Sequence, residues 1–460
     1  MGFSLAEIAS ATGGRLVGDP EGYCRRVVID SRLVAPGDLF VAIIGERHDG
    51  HDFIPQAAAA GARAFVASRP MEVPAGLSAV FVGDTVAALG AIARHHRRRF
   101  DLPVVAVTGS TGKTTTKEMI AAIGGVRRRV ARTEGNLNNE IGLPLTLLSL
   151  SPGDELLVVE MGMRGPGQIA ALAAIAEPQV GVVTNIGLTH LELLGSQEAI
   201  TAAKGELVAA LPASGTAVLN ADDPRCLSLA GKTRARVLRF GLGEGAEVRA
   251  VDLAGDPEGS SFTLRAPEGV AFPVRLSVPG LHQVRNALAA AAAALAVGCG
   301  PEEIRAGLAG FGLRRGRGAA VEATGGWTVI DDTYNANPAS MEAALAVLAA
   351  RSPRGRRIAV LGDMLELGPA SGEAHRAVGH LAARAGVALL LTFGREARGI
   401  GLGAVSAGLP PDAVRHYENK EELLADLRET LRPGDLVLVK GSRGMRMEEI
   451  VSGLLQDIGG

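Results

Sequence analysis

The chain has 460 residues, 47% apolar but only 3% aromatic, with 61 glycines and a net charge of −2 from 47 basic against 49 acidic side chains. At roughly 150 residues per domain the length holds about three domains with ample apolar material for their cores. The balanced charge supplies no basic face for nucleic acid or an anionic bilayer, which argues against a motor or helicase.

Cores poor in aromatic rings must be packed from Val, Leu, Ile and Ala, a palette that suits parallel sheets clad in closely packed helices. In chain order, the opening MGFSLAEIASATGG carries no charged-then-apolar targeting pattern. The runs RRVVID, DLFVAII, RAFVA and SAVFVG read as short strands, separated by the helical patterns HDFIPQAAAAGA and TVAALGAIARHHRRR. This segment closes near RRRFDLP, where Pro103 precedes the next strand. The basic runs at 97–99 and 127–129 are short and are expected to be solvated helix ends.

A second segment opens with VVAVT and continues through ELLVVEMG, VGVVTNIG and GTAVLNADDP. A β-rich insert over about 235–278 and an Ala-rich helix from about 283 follow. After FGLRRGRG a third segment has the strands WTVIDDTYN, RRIAVLGDM, ALLLTFG and DLVLVKGS between helical stretches. No repeat of fixed period appears. The expectation is α/β throughout, divided at 1–98, 99–313 and 314–460. Cys24, Cys226 and Cys299 lie singly, against a disulfide frame or zinc site and for a reducing compartment. The longest apolar stretch, residues 287–298, falls short of the ~20 needed to span a bilayer. A soluble cytoplasmic protein without membrane insertion is expected.

The chemistry concentrates where VVAVT runs into GSTGKTTTKEMI. From Gly109 to Thr114 the pattern is G-x-x-G-K-T, between an apolar strand and a helical pattern; a full Walker A loop would carry one more glycine, where Val107 stands. Such a turn aims backbone N–H groups and a helix N-terminus at anionic oxygens. Lys113 is placed to reach terminal phosphates, and Thr114 to ligate Mg²⁺. In open α/β sheets ligands sit beyond the carboxyl ends of the strands. There Glu160 ends LLVVE, and His190 follows VGVVTN. Taken alone, Glu160 reads as a strand-end carboxylate, His190 as an ordinary histidine and Lys204 as a plain helical lysine. Beside a nucleotide loop, Glu160 reads better as a metal ligand.

The chain resembles the Mur ligases, ATP-dependent amide-bond formers of cell-wall precursor synthesis. The resemblance rests on DSRLVAPGDLFVAIIGERHDGHDFI at 30–54, TGSTGKTTTKEMI at 108–120, GNLNNEIGLPLTLL at 135–148 and VEMGMRGPGQIA at 159–170. It continues in TNIGLTHLELLGSQEAITAAKGELV at 184–208, VPGLHQVRNALAA at 278–290, DDTYNANPASM at 331–341, VLGDMLELG at 360–368 and VKGSRGMRMEEIV at 439–451. It implies a small α/β UDP-binding domain, a central P-loop ATPase domain with a parallel sheet, and a C-terminal Rossmann-like α/β domain binding the incoming dipeptide. The implied reaction activates the carboxylate of a UDP-MurNAc-tripeptide with ATP and gives the acyl phosphate to the amine of D-Ala-D-Ala. The family member that adds a diamino acid carries a D-N-P-R loop; none stands near LLLTFGREARG, and the DDPR at 222–225 lies in the middle segment. A folate-modifying ligase shares the central chemistry but gives no reason for the N-terminal DSR and DGHDF motifs.

Carried over residue by residue, the resemblance implies an ATP site from Gly109, Ser110, Thr111, Gly112, Lys113, Thr114 and Thr115, with Asn286 at adenine, Asp332 at ribose and Arg317 at the γ-phosphate. Gln283 stands where the family pattern has asparagine. Thr114, Glu160, His190 and Lys204 would serve a pair of Mg²⁺ ions, Lys204 after conversion by CO₂ to a carbamate. Lys113, His190, Lys204 and Arg317 would be the catalytic set. Ser31, Gly45, Glu46, Arg47 and His48 match the UDP-binding positions, Asn138 and Asn139 would face the sugar-peptide, and Tyr334, Asn335 and Asn337 the dipeptide. A monomer is expected.

Overall fold

A computed structural model describes residues 2–456; Met1 and residues 457–460, at the ends of the first and third expected segments, lie outside the described residues. Three principal sheets follow one another along the chain. The first has five strands in the order Arg15–Val17, Ser78–Phe81, Ala64–Ala67, Leu39–Val41, Val27–Val28, all parallel except the first. A short antiparallel pair, Phe3–Ser4 with Tyr23–Cys24, and the helix Leu5–Thr12 extend this unit beyond the sequence expectation. That helix begins at a capping box, Ser4 with Glu7, which satisfies end N–H groups.

The second sheet has nine strands. Its parallel part runs Val130–Arg132, Leu156–Glu160, Val104–Thr108, Val180–Val183, Thr216–Asn220, Arg236–Gly241, Val248–Asp256. Gly259–Arg265 and Ala271–Leu276 complete it as an antiparallel meander. The segment expected as an insert thus prolongs the sheet through backbone pairing. Alternate residues of each strand serve opposite faces. Val105, Val107, Leu156, Val158, Val180 and Val182 join one core, with the helices Lys113–Gly124 and Leu281–Ala296. Val104, Ala106, Leu157, Val159 and Val183 join the other. This double burial explains apolar runs that do not alternate. Every residue from Ala287 to Ala294 is fully buried, and all but Leu288 are alanines, whose side chains of one carbon let the helix lie close to the sheet.

The third sheet has six strands, Ala319–Glu322, Thr328–Asp332, Leu436–Lys440, Arg357–Gly362, Leu389–Phe393 and Val414–Tyr417, parallel but for the first. Its two faces have separate cores, and neither includes a residue from the first two units. The first and second units are joined differently. The helix Thr85–Arg97 runs between them, with Leu89 and Ile92 in a core of the first unit and Ala93 in one of the second.

The basic run 97–99 departs from its expected solvent role. Arg97 Nε donates to the Ala176 carbonyl at 3.0 Å, while Arg94 and Arg98 both bind Glu177, and Arg99 reaches the Gly2 carbonyl and Glu7, each at 2.8 Å. It is a joint between units, which charge density along the sequence does not reveal. In the second run Arg128 holds the Val297 carbonyl and Arg129 pairs with Asp154, while Arg127 is exposed.

Candidate active site

Sheet order brings three strand tips side by side: Leu156–Glu160 and Val180–Val183 flank Val104–Thr108, with Glu160 paired to Val107 and Val183 to Thr108. Beyond the central tip the chain turns through Gly109 at φ +148° and Gly112 at φ +80° into the helix Lys113–Gly124. Both angles favour glycine. A Cβ at Gly109 would also collide with the Thr184 hydroxyl, and one at Gly112 with the Asn286 amide.

The turn is braced by its neighbour. Thr184 Oγ1 donates to the Thr111 carbonyl at 2.6 Å, Asn185 Oδ1 accepts from Thr111 N at 2.9 Å, and Ser110 Oγ accepts from Gly187 N at 2.8 Å. Lys113 folds back over the turn and donates to the Gly109 carbonyl at 2.8 Å. Burial depresses its amine below the ordinary lysine value, opposed by Glu160 and reinforced by Arg317. Thr115 follows in the first turn of the helix.

Glu160 is buried at the tip of its strand. Its Oε2 accepts from Thr114 Oγ1 at 2.7 Å and its Oε1 from Asn138 Nδ2 at 2.7 Å, while its own N–H donates to Thr133 Oγ1 at 3.0 Å. Thr114 Oγ1 also accepts from Arg317 Nη2 at 2.9 Å. The Arg317 guanidinium lies 3.5 Å from the centre of the Tyr334 ring, a cation–π stack that fixes its plane. Among the described residues there is no cluster of three His, Cys, Asp or Glu side chains able to hold a metal by themselves. One carboxylate and one hydroxyl beside a phosphate loop are instead the sparse hard-oxygen set that suits Mg²⁺, which keeps waters and phosphate oxygens as its other ligands.

His190, at φ +61°, starts the short helix Leu191–Leu194. Its Nδ1 lies 2.5 Å from Oε2 of Glu366, a residue of the third unit whose Oε1 accepts from Arg164 at 3.2 Å. Burial lowers the imidazole below its ordinary value, Glu366 opposes this, and Lys113 and Lys204 add to it. For Glu366 burial acts upward, but His190 and Arg164 together hold the carboxyl below the usual range. Lys204, on the helix Gln197–Ala209, is buried, and among the described residues no carboxylate or hydrogen-bond acceptor meets its Nζ. Burial, with the like charge of Lys113, holds its amine far below the ordinary lysine value.

The nucleotide-side residues also converge. Buried Asn286 lies against Gly112 and donates to Gln283 Oε1 at 3.1 Å. Asp332 receives Lys440 Nζ at 2.6 Å; burial raises its carboxyl and Lys440 opposes the rise. The dipeptide candidates divide. Tyr334 carries the Arg317 stack, and Asn335 Oδ1 accepts from Ala336 N at 2.9 Å. Asn337 caps the helix Pro338–Ala350, its Oδ1 accepting from Ser340 N at 2.9 Å. Asn139 Oδ1 accepts from Gly142 N at 2.9 Å, at the start of the helix Gly142–Leu148, while Asn138 holds Glu160.

In the first unit Ser31 is buried and donates to Gln56 Oε1 at 2.9 Å. Gly45, Glu46, Arg47 and His48 are exposed in a turn closed by Gly45 N donating to the His48 carbonyl at 2.9 Å. Glu366, Arg164, Lys440 and Asn185 were given no role from sequence. The available signal was position, since Glu366, Lys440 and Asn185 all sit at or just past a strand's carboxyl end.

Three family profiles match the chain: "Mur ligase family, catalytic domain" over 24–97, "Mur ligase middle domain" over 107–294, and "Mur ligase, glutamate ligase domain" over 316–443. The chain is 37% identical over 431 residues to the UDP-N-acetylmuramoyl-tripeptide–D-alanyl-D-alanine ligase of Bacillus subtilis, covering 94% of this chain and 93% of that one. It superimposes on a crystal structure of MurF from Acinetobacter baumannii with a TM-score of 0.91 and 32% identity, covering 99% of each chain. With MurF ligase from Thermotoga maritima in complex with ADP the TM-score is 0.83 at 33% identity, covering 94% of this chain and 97% of that one.

Proposed function

The chain belongs to the Mur ligase family, and from that membership we infer that it is an ATP-dependent, ADP-forming ligase joining D-alanyl-D-alanine to UDP-N-acetylmuramoyl-tripeptide, a step of peptidoglycan precursor synthesis. The observation that carries the reading is Thr114, whose hydroxyl meets Glu160 at 2.7 Å and Arg317 of the third unit at 2.9 Å, directly after the phosphate loop. A metal-type carboxylate and a cation from another unit converge where a triphosphate would end. In this reading residues 1–98 take the UDP end, 99–313 the ATP and 314–460 the dipeptide.

The reaction has two costs: an anionic carboxylate must approach an anionic γ-phosphate, and two acceptors must meet in turn. Lys113 and the N-terminus of the helix Lys113–Gly124 receive the phosphate oxygens, and Arg317 the charge that shifts toward them as the phosphoryl group transfers. Thr114 and Glu160 would hold Mg²⁺, which when bound screens the two anions from each other. A substrate carboxylate oxygen attacks the γ-phosphorus and ADP leaves. The dipeptide amine nitrogen then attacks the acyl carbon, loses a proton, and the tetrahedral adduct expels phosphate. Holding the reactants in register is worth up to about 7–11 kcal/mol at the favourable limit.

Lys204 is assigned as the carbamylated lysine. Its neutral amine adds to CO₂ with loss of a proton and becomes a hard-oxygen anion, which suits a buried lysine with no acidic partner among the described residues. His190 would help to hold a second Mg²⁺ ion. Asn286 with Gln283 would face adenine, and Asp332 with Lys440 the ribose. Ser31 and the turn Gly45–His48 are assigned to the uridine diphosphate, Asn138 and Asn139 to the sugar-peptide, and Tyr334, Asn335 and Asn337 to the dipeptide site. The test mixes the protein with ATP, Mg²⁺, the UDP-tripeptide and D-Ala-D-Ala. Phosphate release should depend on both acceptors, and release that ignores the dipeptide or requires a free diamino acid overturns the reading.

A further inference from the structure

We propose that Glu366 is a positioning residue which sets the His190 ring for the second metal ion and does so only when the third unit is docked, so that domain closure and completion of the metal site are one event. The proposal rests on the assignment of His190 to that ion.

The contact is built from both sides. Glu366 follows the strand Arg357–Gly362 and sits at φ +62°, a left-handed conformation that costs a non-glycine residue energy and persists only where its surroundings impose it. Its own unit supplies that frame: Met364 N donates to His375 Nε2 at 3.0 Å and Leu365 N to Ser442 Oγ at 2.9 Å. The middle unit grips the same residue three ways. His190 Nδ1 meets Oε2 at 2.5 Å, Arg164 Nη2 donates to Oε1 at 3.2 Å, and Glu192 N donates to the backbone carbonyl at 3.3 Å. His190 is itself left-handed at φ +61°. Two strained residues thus face each other across a domain boundary, joined through their side chains.

The chemistry follows from the acceptor. An ionised carboxylate only accepts, so the imidazole proton must stand on Nδ1, and the lone pair of neutral imidazole is left on Nε2. A carboxylate behind a metal-binding histidine fixes both tautomer and ring plane, and its removal typically weakens metal affinity about 10–100-fold. Here that carboxylate comes from another domain. When the third unit swings away, Glu366 leaves with it and the ring loses its orientation. Phosphoryl transfer before the dipeptide-bearing unit has closed is thereby discouraged.

The test counts Mn²⁺ bound to the full-length protein by electron paramagnetic resonance, in the presence of a non-hydrolysable ATP analogue and the UDP-tripeptide. Glu366→Ala should leave the tighter ion unchanged and weaken the second about 10–100-fold, with Glu366→Gln, which keeps an acceptor, recovering part of the loss. Second-ion affinity unchanged in Glu366→Ala, or equal weakening of both ions, overturns the proposal. His190→Ala is the separate control: if it binds both ions as the unsubstituted protein does, the assignment of His190 to the metal falls instead.

Discussion

At the scale of single residues the site is governed by burial without neutralisation. Among the described residues no acid meets buried Lys204, so it is held as an amine able to react, whereas Lys117, equally buried, is paired with Glu118 at 2.9 Å. Lys204→Ala should therefore lower turnover at least roughly 10–100-fold, the range for a lost metal-supporting group, and regain activity with added short carboxylates. Steady-state kinetics with and without acetate or formate checks this, and full unsupplemented activity rules out the carbamate. His282 gives a pH prediction. Burial, helped by Lys440 and Arg285, lowers its pKa from 6.5 to about 4, so in the fold it stays neutral while the unfolded chain takes up a proton. The unfolded state then binds more protons between those values, and stability is lost as pH falls through that window, on the order of 3 kcal/mol in full. His282→Gln should flatten this part of the pH dependence measured by urea unfolding.

At the scale of elements, the linker into the third unit is pinned before it delivers Arg317. Arg314 donates to Glu118 Oε2 at 3.0 Å, and the same carboxylate takes Lys117 and Arg132. Magnitudes separate the partners. Arg314 is exposed, so Arg314→Ala should cost under about 1 kcal/mol of stability while raising KM for ATP as Arg317 loses its tether. Glu118→Ala leaves Lys117 buried with its contact to the Thr133 carbonyl but without its carboxylate and should cost about 3 kcal/mol. Chemical denaturation of both variants decides it, and equal losses would contradict the argument. Elements are also where the sequence was most legible. All twelve strands read from apolar runs, four in each segment, stand within those runs, because strands buried on both faces must be apolar throughout. Among the strands passed over, Arg15–Val17, Val130–Arg132, Ala319–Glu322 and Val414–Tyr417 are edges of the principal sheets, with one neighbour each and little apolar signal.

At the scale of the molecule the joints differ in kind. The first and middle units share apolar packing around the helix Thr85–Arg97, but the third unit's cores stop at its own boundary. Its bridges include Arg314 to Glu118, Arg317 to Thr114, and Glu366 to His190 and Arg164. Polar bridges are screened by salt, with a Debye length of about 3 Å at 1 M, whereas buried apolar contacts are not weakened by it. Raising salt to that level should enlarge the radius of gyration in small-angle scattering through motion of the third unit alone, with the first two moving as one body. An unchanged radius, or separation of the first unit, would refute this.

The amino-acid sequence by itself determined the apolar strands, the glycine turn and the order of acids and cations along the chain, because those depend on local conformation and on burial of whole faces. It also determined that Lys113, Thr114, Glu160 and His190 stand at or beyond the carboxyl ends of apolar strands, the end at which a parallel sheet takes its ligands. Only the tertiary structure decided which partner each received. Glu366 reaches His190 across 176 positions of chain, Arg317 reaches Thr114 across 203, and the arginines at 97–99 turn inward to join units. Such contacts are made between faces of separately folded sheets, and no periodicity within one segment encodes the face of another.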